Sequence, residues 1–387
     1  MESLYNTVLK KKQEVSQITC NPTLGAMDLD YCKILDSLVP TDGFVASRVK
    51  SCLKELELAS SFEFNGHYLS AFDAYNEAVT YYDLLQRGFI VRGIPEASSS
   101  TPDFEVEFTY TEGDGAQKTG KVYLEVKSLA YANGNEEYKK AQDAAFESNV
   151  RIEKQRIRGR RFCSSEYCVS PLGDKDTGPT AEIEEFNKKI CNNIKPSQFN
   201  YGNGEDTILF VDMSQYMFPF KVEECLPVYP NVLRHYSASG RLWMIAFGIE
   251  GERIFSWPEF EGKGNFDKLL ERPGILNCNE FSYIKGIIFC SGSEKGKRKL
   301  YGFYRYEDEE LKTTNFIHHA CDFVNDDKNT YGFKFFKNLE EDLMKRYGGK
   351  FEEGKYRYGV KKLRKKGNRW RCMLDVLLLY INRLRKC

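Results

Sequence analysis

Two short runs of alternating apolar and polar residues, joined by a glycine-bearing turn, constrain this chain more than any other feature. Asp103-Phe104-Glu105-Val106-Glu107-Phe108-Thr109-Tyr110 alternates with period two, and Lys121-Val122-Tyr123-Leu124-Glu125-Val126-Lys127 reads as a second strand. Glu112-Gly113-Asp114-Gly115 between them is turn chemistry. Side chains two apart on a strand point to one face, so Glu125 and Lys127 share a face with Val126 turned away. Asp103 stands twelve residues before Gly115 and Glu125 ten after it. That spacing brings both carboxylates to the same end of the hairpin, allowing for a bulge or an uneven loop.

The flanks place this hairpin in a mixed α/β order. Ala71, Ala74, Tyr75, Ala78, Val79, Tyr82 and Leu85 form the apolar stripe of a helix over 68–87, and Gly88 stops it. Phe89-Ile90-Val91 follows as a short strand, then a Ser-rich loop from Pro95 to Pro102. Downstream, 130–178 is polar and reads as an insertion with helix around 136–158. Glu182–Asn193 reads as a helix with Ile183, Phe186, Ile190 and Ile194 on one face. Thr207–Val211 reads as a buried strand. Leu242–Ile249 and Ile284–Cys290 are further strand-like runs. Ahead of all this, Val45, Val49, Cys52, Leu53, Leu56 and Leu58 recur at near-helical spacing. The expected organisation is a helical N-terminal region 1–66, an α/β domain 67–330 and a basic, aromatic region 331–387.

The hairpin's carboxylates and lysine suit metal-assisted phosphodiester hydrolysis. Two carboxylates supply hard oxygen ligands for Mg²⁺ or Mn²⁺. The cation activates a water and neutralises phosphate charge, and the lysine orients that water or stabilises developing charge. Asp73, one turn before Glu77, reads as a surface acid, Glu105 and Glu107 as solvated strand residues, and Ser128 as structural.

Pro102-Asp103 followed by Glu125-Val126-Lys127 resembles the PD-(D/E)XK, or restriction-endonuclease-like, nuclease superfamily. The resemblance covers roughly 68–215 and departs at 130–178. It implies a core with a central mixed β-sheet flanked by helices, and a metal-dependent nuclease acting on DNA more than RNA. It implies that Asp103 and Glu125 bind the cation and that Lys127 serves catalysis. Glu77, on the helix eleven residues before Gly88, would be a further cation ligand, and Gln198, before Phe199, a peripheral site residue. A catalytically silent nucleic-acid-binding or structural module of the same fold, or an RNA endonuclease, is the alternative.

Lys+Arg and Asp+Glu each number 56, so any nucleic-acid contact must come from local patches rather than overall charge. One is Arg151, Lys154, Arg156, Arg158, Arg160 and Arg161 against Glu153; another is Lys361–Arg371 around Trp370. The bland reading of either is a solvated face. Met373–Leu384 reads as a helix docked on the core, and a protein partner or homo-oligomer is compatible with the chain. The 12 cysteines form no CxxC pair, Cys163 and Cys168 read as free thiols, and His318-His319 lacks an HExxH context. Neither a GxxxxGK[ST] loop nor a GxSxG elbow occurs. No run approaches the ~20 apolar residues of a membrane span, and Met1–Tyr5 does not open a secretory leader, so an intracellular location in cytoplasm or nucleus is expected.

Overall fold

Side-chain caps set the helices of the first third of the chain as much as periodicity does. The computed structural model describes residues 3–16, 21–60, 66–95, 101–111, 115–129, 179–199, 201, 206–216, 220, 222–226, 228–231, 236–251, 254, 269–293, 296–305 and 311–326, with single positions 147, 150, 154, 157 and 158. Four helices lead in: α1 (Leu4–Ser16), α2 (Pro22–Ala26), α3 (Leu29–Leu38) and α4 (Gly43–Leu58). Asn21, Asp28 and Asp42 cap α2, α3 and α4 by accepting from Leu24, Asp30 and Val45 N–H groups at 3.1, 2.7 and 3.0 Å. The longer α5 (Gly66–Gln86) follows. Gly88 ends its run at φ 85°, where the Gly88 N–H donates to Leu85 O and the Phe89 N–H to Leu84 O.

One face of α5 (Tyr68, Ala71, Phe72, Tyr75, Val79) shares an apolar cluster with Leu4, Tyr31, Leu35, Val49 and Leu56 of the preceding helices. The expected boundary at 66/67 therefore falls at the start of α5, within one shared core. Leu58, counted on the apolar stripe of α4, is instead exposed at its end.

Past α5 the chain builds a seven-stranded mixed sheet from β1 (Ile90–Gly93), β2 (Phe104–Thr111), β3 (Gln117–Ser128), β4 (Asp206–Asp212), β7 (Ile284–Cys290), β8 (Leu300–Tyr304) and β9 (Phe323–Asp326), in the order β1-β2-β3-β4-β7-β8-β9. β5 (Val228–Asn231) and β6 (Tyr236–Ser239) pair separately. β1, β2 and β3 are antiparallel neighbours, while β3, β4 and β7 run parallel. All seven residues of β4 are buried, as a strand covered on both faces requires.

Two apolar layers cover the sheet. Phe104, Val106, Leu124, Phe210 and Ile288 pack with Leu84 of α5 and Phe316 of α9 (Leu311–Ala320). On the other face Leu209, Val211, Ile287 and Phe289 pack with Ile183, Phe186 and Ile190 of α6 (Pro179–Asn193), and with α8 (Arg241–Phe247). Between α6 and β4 lies the single turn α7 (Pro196–Phe199).

The strand expected at 242–249 is this helix α8. A short, wholly apolar run fits a buried strand or a buried helix equally well. A distant residue tips the balance: the Glu224 carboxylate accepts from the Arg241 N–H at 3.0 Å at the helix start and pairs with the Arg241 guanidinium at 2.9 Å. Most of the insertion at 130–178, including Cys163 and Cys168, and everything from 327 onward, including Met373–Leu384, lie outside the described residues. Among the described residues no helix is long and apolar enough to cross a membrane.

Candidate active site

The hairpin register carries the motif together. Phe104 pairs with Leu124, so Asp103 falls opposite Glu125 at the open end. Backbone bonds extend the ladder through that end: the Asp103 N–H donates to Leu124 O at 3.0 Å, and the Ile94 N–H to Asp103 O at 2.9 Å. The Asp103 side chain then continues it, its Oδ2 accepting from the Val126 N–H at 2.7 Å. The Asp103 side chain makes no other hydrogen bond among the described residues, which leaves its Oδ1 available to an incoming group.

Glu125 and Lys127 share the opposite face from Val126, where α7 brings up Gln198. Lys127 Nζ lies 2.5 Å from Glu125 Oε1 and 3.4 Å from Gln198 Oε1, and Gln198 Nε2 donates to Glu125 Oε1. Three side chains from β3 and α7 thus close a triangle on one carboxylate oxygen. The other oxygen, Glu125 Oε2, is buried with no hydrogen-bond partner among the described residues. Leaving a buried acceptor unsatisfied costs about 1–3 kcal/mol, more if it is charged, so such groups are uncommon in folded proteins.

Burial pushes the Glu125 carboxyl up to about 7, helped by the Asp103 charge and opposed by Lys127 and Gln198. Asp103 rises to about 6, also through burial first, with Val126 N–H, Lys127 and Arg48 pulling it back. Asp103 is half-buried by surface area, so solvent screens part of its rise, whereas Glu125 is 1% exposed and takes the full effect. The two are one coupled pair whose protons come off in steps shared between them.

Helix α5 contributes to this end of the sheet through a polar stripe at helical spacing. Asp73 is exposed, and its charge acts on Asp103. Asn76 Nδ2 donates to Ser128 Oγ at 2.9 Å. Glu77 faces α4 instead, where its Oε2 pairs with Arg48 Nε at 3.0 Å. The acid of α5 that neighbours the motif is therefore Asp73, and Glu77 is engaged by an arginine. Glu105 and Glu107 are not merely solvated, since both pair with Arg92, at 2.9 and 2.6 Å. Sequence reasoning passed over Arg48. A polar stripe was visible, since Asp73, Asn76, Glu77 and Thr80 recur at i, i+3, i+4 and i+7, but it does not single out Asp73.

Of the basic stretch in the insertion, Arg151, Arg156, Arg160 and Arg161 lie outside the described residues. Lys154 and Arg158 are exposed, the Arg158 N–H donating to Lys154 O at 3.3 Å. Lys361–Arg371 also lies outside them.

Among the described residues no three His, Cys, Asp or Glu side chains gather into a ready-made metal cage. Asp103 and Glu125 nevertheless fit a hard divalent cation. They offer two carboxylates and one orphaned buried oxygen, and Mg²⁺ is commonly held by one or two protein carboxylates with waters and phosphate oxygens completing its shell. No protein-family model, no curated protein and no solved structure matches the chain.

Proposed function

We propose that this chain is a Mg²⁺- or Mn²⁺-dependent nuclease with a restriction-endonuclease-like core, hydrolysing phosphodiester bonds of nucleic acid. DNA is the substrate the motif's resemblance favours. The element order supports the core: helix α5, the antiparallel meander β1-β2-β3, helix α6, then β4 parallel to β3. The motif lies toward the carboxyl end of β3, and ligands in open α/β sheets bind beyond the carboxyl ends of the strands.

The observation that carries the reading is the partnerless Oε2 of Glu125, buried beside Asp103 and Lys127. Lys127 and Gln198 both engage the other oxygen of Glu125, which leaves this one for a ligand. Asp103 and Glu125 would hold the cation, which supplies an activated water and charge neutralisation on the phosphate. Val126 N–H fixes the rotamer of Asp103, so Oδ1 is presented without rearrangement. Gln198 and Glu125 hold the Lys127 ammonium where negative charge develops on the phosphate. Both carboxyls must ionise to hold a cation, and burial favours their protonated forms, so cation affinity rises with pH.

The experiment is incubation of the full chain with plasmid DNA, single-stranded DNA and RNA, in Mg²⁺ or Mn²⁺ against chelator. Cleavage that needs the cation and disappears in an Asp103→Ala/Lys127→Ala variant is expected. Cleavage unaffected by chelator, or equal in the variant, rejects the mechanism.

A further inference from the structure

Thr207 is a polar residue in a strand whose burial does not call for one. β4 reads Asp206-Thr207-Ile208-Leu209-Phe210-Val211-Asp212, is buried throughout, and has Thr207 as its one hydroxyl. Strands covered on both faces are built mostly from Val, Ile and Leu, and valine has the shape of threonine without the polar atom. Thr207 is 1% exposed, and its Oγ1 has no hydrogen-bond partner among the described residues. An unsatisfied hydroxyl in such a place costs about 1–3 kcal/mol.

Strand register sets where this hydroxyl faces. Across the parallel β3/β4 ladder Glu125 pairs with Leu209, and Tyr123 with Thr207. Leu209 packs toward α6, so alternation turns Thr207 and Glu125 to that same face, one pairing step apart. Aromatic rings flank the step. Tyr201 meets the Tyr123 ring edge-on with centroids 5.1 Å apart, and Phe199, next to Gln198, packs on Tyr283 at 5.6 Å. Tyr283 precedes Ile284, the partner of Thr207 on β7. Two unpartnered buried oxygens, Glu125 Oε2 and Thr207 Oγ1, thus share one face of neighbouring strands.

We propose that Thr207 is a positioning residue for the cation site: its hydroxyl bonds a water of the cation's shell, while Asp103 and Glu125 supply the direct ligands. The inference rests on the nuclease reading and deepens it by one outer contact from β4. Mg²⁺ dehydrates reluctantly and keeps several waters, which need hydrogen-bond partners in a buried site. A threonine hydroxyl offers a water two acceptor lone pairs and one donor. One hydrated cation therefore answers both oxygens, the carboxylate directly and the hydroxyl through water.

The test uses the full chain, calorimetric titration with Mn²⁺, and urea unfolding without cation. Thr207→Val keeps the shape and removes the hydroxyl. Its Mn²⁺ affinity is expected to fall about 10- to 100-fold, the scale of losing an outer partner, while the cation-free chain keeps or gains stability. Thr207→Ser, which retains a hydroxyl, restores most of the affinity. Mn²⁺ affinity unaltered in Thr207→Val overturns the proposal and leaves the nuclease reading standing. Loss of stability in cation-free Thr207→Val overturns it too, since the hydroxyl would then serve the fold's own bonding. Should Thr207→Val not fold, Thr207→Ala against Thr207→Ser gives the same comparison of affinities. Wild-type chain that binds no Mn²⁺ sinks the inference and the nuclease reading together.

Discussion

Arg298 and Glu125 are both buried charged residues near the carboxyl ends of β3 and β4, and their surroundings differ in completeness. Arg298 donates to Asp83 Oδ2 at 2.8 Å, Asn76 Oδ1 at 2.7 Å, Asp212 Oδ2 at 2.9 Å and Thr80 Oγ1 at 2.9 Å, and lies 5.4 Å from the Phe210 ring centroid. Two carboxylates answer one guanidinium, and Asp83 is further held by the Tyr31 hydroxyl at 2.7 Å. This closed network ties α5 to the sheet. Glu125 has one oxygen shared by Lys127 and Gln198 and one with no partner among the described residues. The two clusters are linked through Asn76, which accepts from Arg298 and donates to Ser128 beside Lys127. A satisfied buried charge builds the scaffold; the unsatisfied one next to it is where the proposed cation would sit.

The largest expected effect comes from opening the closed cluster. Arg298→Met leaves Asp83 and Asp212 buried without their cation, and urea unfolding should show a loss of about 3–5 kcal/mol. Adding Asp212→Asn should recover part of it, since the two sites share one network.

Next comes removal of the ammonium from the open cluster. Lys127→Met should lower turnover by about 10²–10³-fold, the scale of losing one preorganised donor, with the fold retained by circular dichroism. An equally large loss of stability would place Lys127 with Arg298 as a scaffold residue.

The smallest effect is the sharpest discriminator, because its sign is reversed. The raised carboxyls of Asp103 and Glu125 favour the protonated, folded protein. Their contribution is complete below the unfolded carboxyl pKa near 4 and is lost as pH rises through about 6 and 7. Cation-free protein should therefore lose stability over that window, and Mg²⁺ should raise its melting temperature more at pH 8 than at pH 5. Glu125→Gln should stabilise the cation-free chain at pH 8 by on the order of 1 kcal/mol and abolish the Mg²⁺ response. A destabilised Glu125→Gln would make the two clusters alike.

Much of this site was legible because its parts are local. Period-two alternation and a glycine turn specify the β2–β3 hairpin, and counting from the turn puts Asp103 opposite Glu125 with Lys127 on the same face. The stripe of α5 and its stop at Gly88 follow from helical spacing. Where the local pattern is degenerate it misled: Leu242–Phe247 is apolar on every side, and the carboxylate that caps it as a helix comes from Glu224, seventeen residues away. Glu77 and Asp73 lie one turn apart on the same helix, and nothing in their spacing says which faces Asp103 and which faces Arg48.

Local pattern alone specifies the hairpin and the residue types at its open end, because strand period and turn chemistry act between near neighbours. Long-range packing brings the distant side chains to that end. Gln198, which the resemblance offered as a peripheral residue, reaches Glu125 across 73 positions, and Arg298, which no local pattern offered, reaches Asn76 across 222. Contacts over such separations depend on how α5, α7 and the sheet pack, and packing of whole elements leaves no periodic trace in the residues that meet.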